Sequence, residues 1–146
     1  LLKDNNDNPD DAFISMSYYM LKLFEKYEHN IAMKNGVEVR DVQVLSAIYV
    51  AGTVHDPKEI TDFTGLSQIV VAAVLQHLSF NGMIQIGLEK RIPSITITDP
   101  DNPLIRDIVT SFHDVEDVMY SGFDDKEKIR MRKMLIRIND NLKARL

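Results

Sequence analysis

Apolar residues recur at intervals of three and four positions along most of this chain, which is the spacing of an amphipathic α-helix. One such stretch covers residues 12–33 and ends before Asn35-Gly36, because glycine suits the left-handed position that follows a helix. A second stretch covers residues 40–51, and two longer ones near the C-terminus cover about 102–120 and 125–143. The pattern predicts a mainly α-helical protein with long helices towards both ends.

The centre of the chain carries the capping residues of two shorter helices. Asp56 is predicted to cap the first, with Pro57 at the first helical position and Glu59 completing a capping box. Ser67 is predicted to cap the second helix, which extends to about Phe80. The spacing of these caps predicts two consecutive helices joined by a short turn.

Two segments that follow these helices alternate in polarity and are rich in isoleucine and threonine, as β-strands are. They cover Met83 to Leu88 and Ser94 to Thr98, and the five residues between them, 89–93, are predicted to form a hairpin tip. Two short helices followed by a hairpin are typical of a winged helix-turn-helix, a module that usually docks on duplex DNA. The predicted fold class is therefore mainly α with a small β-hairpin wing.

The terminal helices carry more apolar residues than a small centre can cover. At 146 residues the chain fits a single domain. Within it we expect a flexible leader over 1–11, a winged-helix DNA-binding region over 37–99, and a helical dimerisation region made of 12–36 and 100–146. The simplest way to bury the apolar faces of the terminal helices is against a second copy, which favours a two-fold homodimer.

The amino-acid composition excludes several kinds of site. The absence of cysteine excludes disulfides and thiolate metal sites. No apolar run reaches the roughly 18 residues of a membrane-spanning helix, and no secretory leader is visible. We therefore expect a cytoplasmic protein with no membrane partner and no cofactor.

Charge is distributed unevenly along the chain. The net charge of −5 does not by itself favour binding to nucleic acid. Eight of the 17 Lys and Arg residues, however, lie between Lys126 and Arg145, on the last predicted helix. This cluster is either a solvated helix face or a surface for nucleic acid or an acidic partner.

Five segments carry a resemblance to a known family. They are DVQVLSAIYVAG, ITDFTGLS, VLQHLSFNGMI, the Glu89-Lys90-Arg91 tip and GFDDKEKIRMRKMLIRINDNL. In order and spacing they resemble the second helix, the turn into the recognition helix, the end of that helix, the wing and the last helix of MarR-family transcriptional regulators. The resemblance covers about residues 12–143, with Asp41 at a position where the family commonly has glutamine.

The resemblance implies a transcription regulator rather than an enzyme. It implies a homodimer, with the terminal helices as its interface, that binds palindromic double-stranded DNA. It also implies a response to a small aromatic or anionic ligand. In agreement, the sequence contains no GxSxG, HExxH, P-loop or Rossmann glycine run, so we expect no catalytic residues.

A recognition helix packs one face against its own domain and inserts the other face into the major groove of DNA. The inner face is predicted to contain Val71, Val74, Leu75 and Leu78. The DNA-binding surface is predicted to contain Ser67, Gln68, Ile69, Val70, Ala72, Ala73 and Gln76 on this helix and Lys90 and Arg91 on the wing, with His77 at the border. The residues predicted to contact bases are Gln68, Ile69, Val70 and Gln76, and those predicted to contact phosphate are Ser67 and Lys90. Arg91 is predicted to enter the minor groove, and Glu89 could hold it there by an ion pair.

The same helix supports a second interpretation. It contains no Arg or Lys and is apolar nearly all round, which is also typical of a buried helix. The alternative function is a winged-helix protein-interaction module with weak or lost DNA binding. In that case Lys90 and Arg91 would be two solvated charges on a turn.

A few residues outside the winged region are candidates for other roles. Tyr18, Tyr19, Tyr49 and His113 could line a ligand cleft, although core packing is the alternative for each tyrosine. His113 could instead form a hydrogen bond across the dimer. The four histidines are scattered and show no convincing metal-ligand spacing, so no metal site is predicted.

Overall fold

The computed structural model describes residues 9–145, and it describes side chains from residue 13 onwards. Within this range the element order is α1 (Pro9–Asn35), α2 (Val39–Ala51), α3 (Pro57–Thr64), α4 (Gln68–Phe80), β1 (Ile84–Glu89), β2 (Ile92–Ile97), α5 (Pro103–Met119) and α6 (Asp125–Lys143). The predicted fold class, mainly α with a small hairpin wing, is confirmed. Helix α1 begins at Pro9 rather than Ala12, and residues 1–8 of the predicted leader lie outside the described range.

The predicted caps form as hydrogen-bonded structures. The Asp56 carboxylate accepts from the backbone N–H of Lys58 at 2.9 Å, and Glu59 Oε1 accepts from the backbone N–H of Asp56 at 3.0 Å. Ser67 Oγ accepts from the backbone N–H of Val70 at 3.3 Å. These bonds satisfy N–H groups that a helix start leaves without partners, so they fix where α3 and α4 begin.

The hairpin differs from the prediction at its tip. The two strands pair antiparallel through Glu89↔Ile92, so the loop contains two residues, Lys90 and Arg91, instead of the five predicted over 89–93. Pro93, which the prediction placed in the tip, lies within β2 opposite Leu88. A proline is tolerated at this position because its missing N–H lies on the edge of β2 that faces away from β1. On that edge Ile95 pairs with Val54 in an isolated bridge, and this pairing does not extend to Pro93.

One continuous core holds the winged region together. It contains the buried apolar residues of α2, Ile60 of α3, the inner face of α4, Ile84 and Ile95 of the hairpin, and the start of α5. Val54 joins the hairpin through two backbone hydrogen bonds with Ile95, of 3.0 and 2.8 Å. The wing is therefore anchored on the same core as the helix-turn-helix.

The chain divides into two compact units at the boundary between Ser111 and Phe112, within α5. The first unit contains the helix-turn-helix and the wing. The second contains α6, a 19-residue helix in which no described residue is buried. Within the described range no single helix has the length and apolar content to cross a membrane, although α3 and α4 taken together, with a bend of 114°, meet both criteria.

Candidate nucleic-acid interface

Helix α4 has one face in the core and one in solvent. Val71, Val74, Leu75 and Leu78 are the buried residues of this helix, as predicted. Their positions, i, i+3, i+4 and i+7, place them along one side of the helix. The opposite side is therefore held outward by the same packing that fixes the inner face.

The residues directly opposite the core form a line of four side chains. This outward line consists of Ile69, Ala73, Gln76 and Phe80, at i, i+4, i+7 and i+11. All four residues are exposed, Ile69 at 83% and Phe80 at 90% of full residue accessibility. The sequence prediction included the first three residues and missed Phe80, which the helical spacing from Ile69 would have identified.

The flanks of the outward line are more varied. Gln68 and Ala72 are exposed, whereas Val70 is half-buried and packs against the core, so it offers less surface than Ile69. The ring of His77 is exposed and lies 3.2 Å from the amide nitrogen of Asn81. The hydroxyl oxygen of Ser67 accepts from the backbone N–H of Val70, and a hydroxyl group also has one proton to donate, for example to a phosphate.

The wing tip consists of two cationic residues in an unusual backbone conformation. Lys90 and Arg91 have φ angles of 51° and 71°, and both side chains are exposed. Positive φ at both central residues is the geometry of a tight two-residue hairpin turn. The turn therefore projects two positive charges from the end of the hairpin.

The wing cations differ from the other cations of this region. Residues 37–99 contain four basic and seven acidic residues. Arg40 Nε lies 2.7 Å from Glu38, and Lys58 Nζ lies 2.6 Å from Asp62. Among the described residues, no ion pair joins Lys90 or Arg91 to an acid, so the possible Glu89–Arg91 pair is not formed in this structure. The strand pairing of Glu89 with Ile92 makes Glu89 the end of β1 instead of part of a longer loop.

The predicted ligand residues lie on three different helices. Tyr18 and Tyr19 are exposed on α1, and Tyr49 is half-buried on α2. His113 is exposed on α5 and belongs to the second unit. Their role in binding a ligand stays a prediction. Within the described part of the chain, no three His, Asp or Glu side chains are grouped so that they could hold a metal ion.

No protein-family model matches the sequence, and no curated protein matches it. Solved structures do match. A MarR/EmrR family transcriptional regulator from Acinetobacter sp. ADP1 is 19% identical with a TM-score of 0.69, over 94% of this chain and 99% of that one. A MarR family regulator from Neisseria meningitidis is 17% identical with a TM-score of 0.69, over 94% of this chain and 95% of that one.

A third match is a mutant of MepR from S. aureus bound to an oligodeoxyribonucleotide. It is 16% identical with a TM-score of 0.51, over 88% of this chain and 97% of that one. Identities of this size show a shared fold. The chain has the fold of the MarR-family transcriptional regulators.

Proposed function

We propose that the protein is a DNA-binding transcriptional regulator, not an enzyme, that acts in the cytoplasm as a homodimer on a palindromic operator. The observation that carries this proposal is the presence of two exposed surfaces in the first unit. One is the outward line of α4, which is free of the core. The other is the wing tip, where Lys90 and Arg91 form no ion pair with any acid of the described residues. A solvent-facing second helix and a basic hairpin tip are the parts that this module uses on DNA.

The assignment of roles follows from the chemistry of each part. Helix α4 enters the major groove, where Gln68, Ile69 and Gln76 reach base edges and Ser67 donates to phosphate. The wing enters the minor groove, whose negative potential attracts Arg91, while Lys90 contacts phosphate. The MepR mutant that shares this fold is bound to an oligodeoxyribonucleotide, which supports DNA as the partner of this module.

A selection from a random-sequence duplex library tests the function directly. We expect an enriched palindrome at about 50 mM salt and weaker retention at about 200 mM. Salt opposes each contact between a cation and a phosphate, and the small number of such contacts keeps the affinity low. Failure to enrich any duplex at the lower salt would contradict the proposal. The exposed, mostly apolar outward line of α4 would then favour the alternative function, a protein-interaction module.

The wing has its own test. Arg91→Ala is expected to weaken binding to the selected duplex and to lower the slope of log affinity against log salt by about one unit, because one phosphate-region cation is removed. Lys22→Ala is the control, since Lys22 is an exposed cation on α1, paired with Glu25 at 2.7 Å. Equal slopes for the wild type and Arg91→Ala would exclude the wing from the DNA contact.

A further inference from the structure

The outward line of α4 has a composition that limits which bases it can read. Three of its four side chains, Ile69, Ala73 and Phe80, are hydrocarbon, and the fourth, Gln76, ends in an amide. Helix α4 contains no Lys or Arg at any position from 68 to 80. The cationic donors that most often recognise guanine are therefore missing from the surface that would face the bases.

The major-groove edges of the bases differ in what they offer. Guanine presents two acceptors, O6 and N7, which Arg and Lys satisfy well. Adenine presents an acceptor and a donor, N7 and N6–H, which a glutamine amide can pair with in a bidentate way. Thymine is the base with a C5-methyl group, which a hydrocarbon side chain can cover and remove from water.

On these grounds we propose that α4 selects A·T base pairs by covering thymine methyl groups with Ile69 and Ala73 while Gln76 pairs with adenine. This inference rests on the proposed function and specifies its target. Ile69 and Gln76 are seven positions apart, about 10 Å along the helix axis, which corresponds to about three base-pair steps. Phe80 lies at the C-terminal end of α4, outside the N-terminal part that approaches the bases in such complexes.

Exposure makes Ile69 the principal contact. The residue is 83% exposed, so covering a methyl group requires no rearrangement of the core. Removal of a buried methyl group changes binding by about fourfold, because one such group contributes about 0.8 kcal/mol and tenfold corresponds to about 1.4 kcal/mol. The effect of a single thymine methyl is therefore measurable in a titration.

Deoxyuridine provides the test, because it keeps the pairing of thymine and lacks only the methyl group. The probe is the duplex obtained by selection, with its thymines replaced by deoxyuridine one at a time. We expect the selected sites to be rich in A·T pairs at the half-site positions. At the contacted positions, replacement should weaken binding of the wild type about fourfold.

Ile69→Ala links the effect to a residue. This variant should bind the thymine and deoxyuridine duplexes equally at the position that Ile69 contacts. Met33→Ala should retain the difference, because Met33 is comparably exposed, at 81%, but lies on α1. Both side chains are outside the core, so both variants are expected to fold.

The outcomes separate this inference from the function on which it rests. Selected sites rich in G·C pairs, or wild-type binding that is unchanged by deoxyuridine at every position, would overturn the thymine-reading inference and leave a DNA-binding regulator. A methyl effect that persists in full in Ile69→Ala would overturn the role of Ile69. Failure to bind any duplex would overturn the proposed function and the inference together.

Discussion

Two adjacent residues, Lys90 and Arg91, adopt a left-handed conformation that glycine and asparagine adopt more easily. For a residue with a side chain the left-handed region costs about 1–2 kcal/mol. The turn nevertheless has cations at both positions and an acid partner at neither among the described residues. Backbone strain of this kind is found where a side chain is required for function, and here the proposed requirement is positive charge at the wing tip.

The cationic residues at the turn are therefore expected to lower the stability of the fold while they strengthen DNA binding. Replacing the pair by the preferred turn sequence, Lys90→Asn with Arg91→Gly, should raise the free energy of unfolding by about 1 kcal/mol. The same double variant should weaken DNA binding and lower the salt slope by about two units, because two cations are lost. Urea denaturation and DNA titration measure the two effects. A double variant that is less stable than the wild type would contradict the strain argument.

At the scale of elements, local signals were enough to predict most of the fold. The caps at Asp56 and Ser67 and the spacing of apolar residues predicted α2, α3, α4 and α6 with nearly their observed limits. The bridge of Val54 with Ile95 could not be predicted, because it joins residues 41 positions apart and a single valine leaves no periodic signal. The hairpin tip was predicted too long, because the alternation of polarity does not report backbone pairing, and Glu89 pairs with Ile92.

Contacts between elements also depend on polar residues that no periodicity identifies. Asp107 of α5 accepts from Lys34 Nζ at 2.7 Å and from Asn35 Nδ2 at 2.8 Å, at the end of α1. The hydrogen bonds from Lys34 and Asn35 hold the pKa of the Asp107 carboxyl below its ordinary value of 3.8. This carboxylate therefore links the C-terminal end of α1 to the start of α5 within the first unit.

We predict that Asp107→Asn lowers the free energy of unfolding by about 1 kcal/mol at neutral pH. Because folding lowers the pKa of Asp107, its contribution is present above the unfolded pKa, near 3.8, and is lost as the pH falls through the folded value. The difference between wild type and variant should therefore shrink in acid. Urea titrations across this pH range measure it.

Asp101→Asn is the matched control for this prediction. Asp101 also pairs with a cation, Arg106, at 2.8 Å, but its side chain is 82% exposed. Its loss should change stability little, since exposed pairs contribute little to stability. An equal effect of the two substitutions would show that the link between α1 and α5 has no special role.

At the scale of the whole molecule, many large apolar side chains of the described residues are exposed. On α1 they include Ile14, Tyr18 and Leu21, which lie at i, i+4 and i+7 and are exposed at 58%, 67% and 51%. Helix α6 has no buried residue, although Leu135, Ile136 and Leu142 lie on it. The local sequence pattern predicts these helices, but it does not identify the surface that packs against their apolar faces. We propose that this surface belongs to a second copy of the chain in a homodimer.

Charge placed on these apolar faces should therefore change the oligomeric state. We predict that Ile14→Asp with Leu21→Asp converts a dimer into a monomer, because a dimer interface would have to bury two carboxylates without partners. Sedimentation velocity measures the mass, and circular dichroism reports whether the helices are retained. Ile69→Asp is the control, since it places an acid on an exposed isoleucine of α4 and should leave the mass unchanged. A wild-type protein that sediments as a monomer at micromolar concentration would contradict the proposed dimer. If such a monomer bound DNA, it would recognise a single half-site rather than a palindrome.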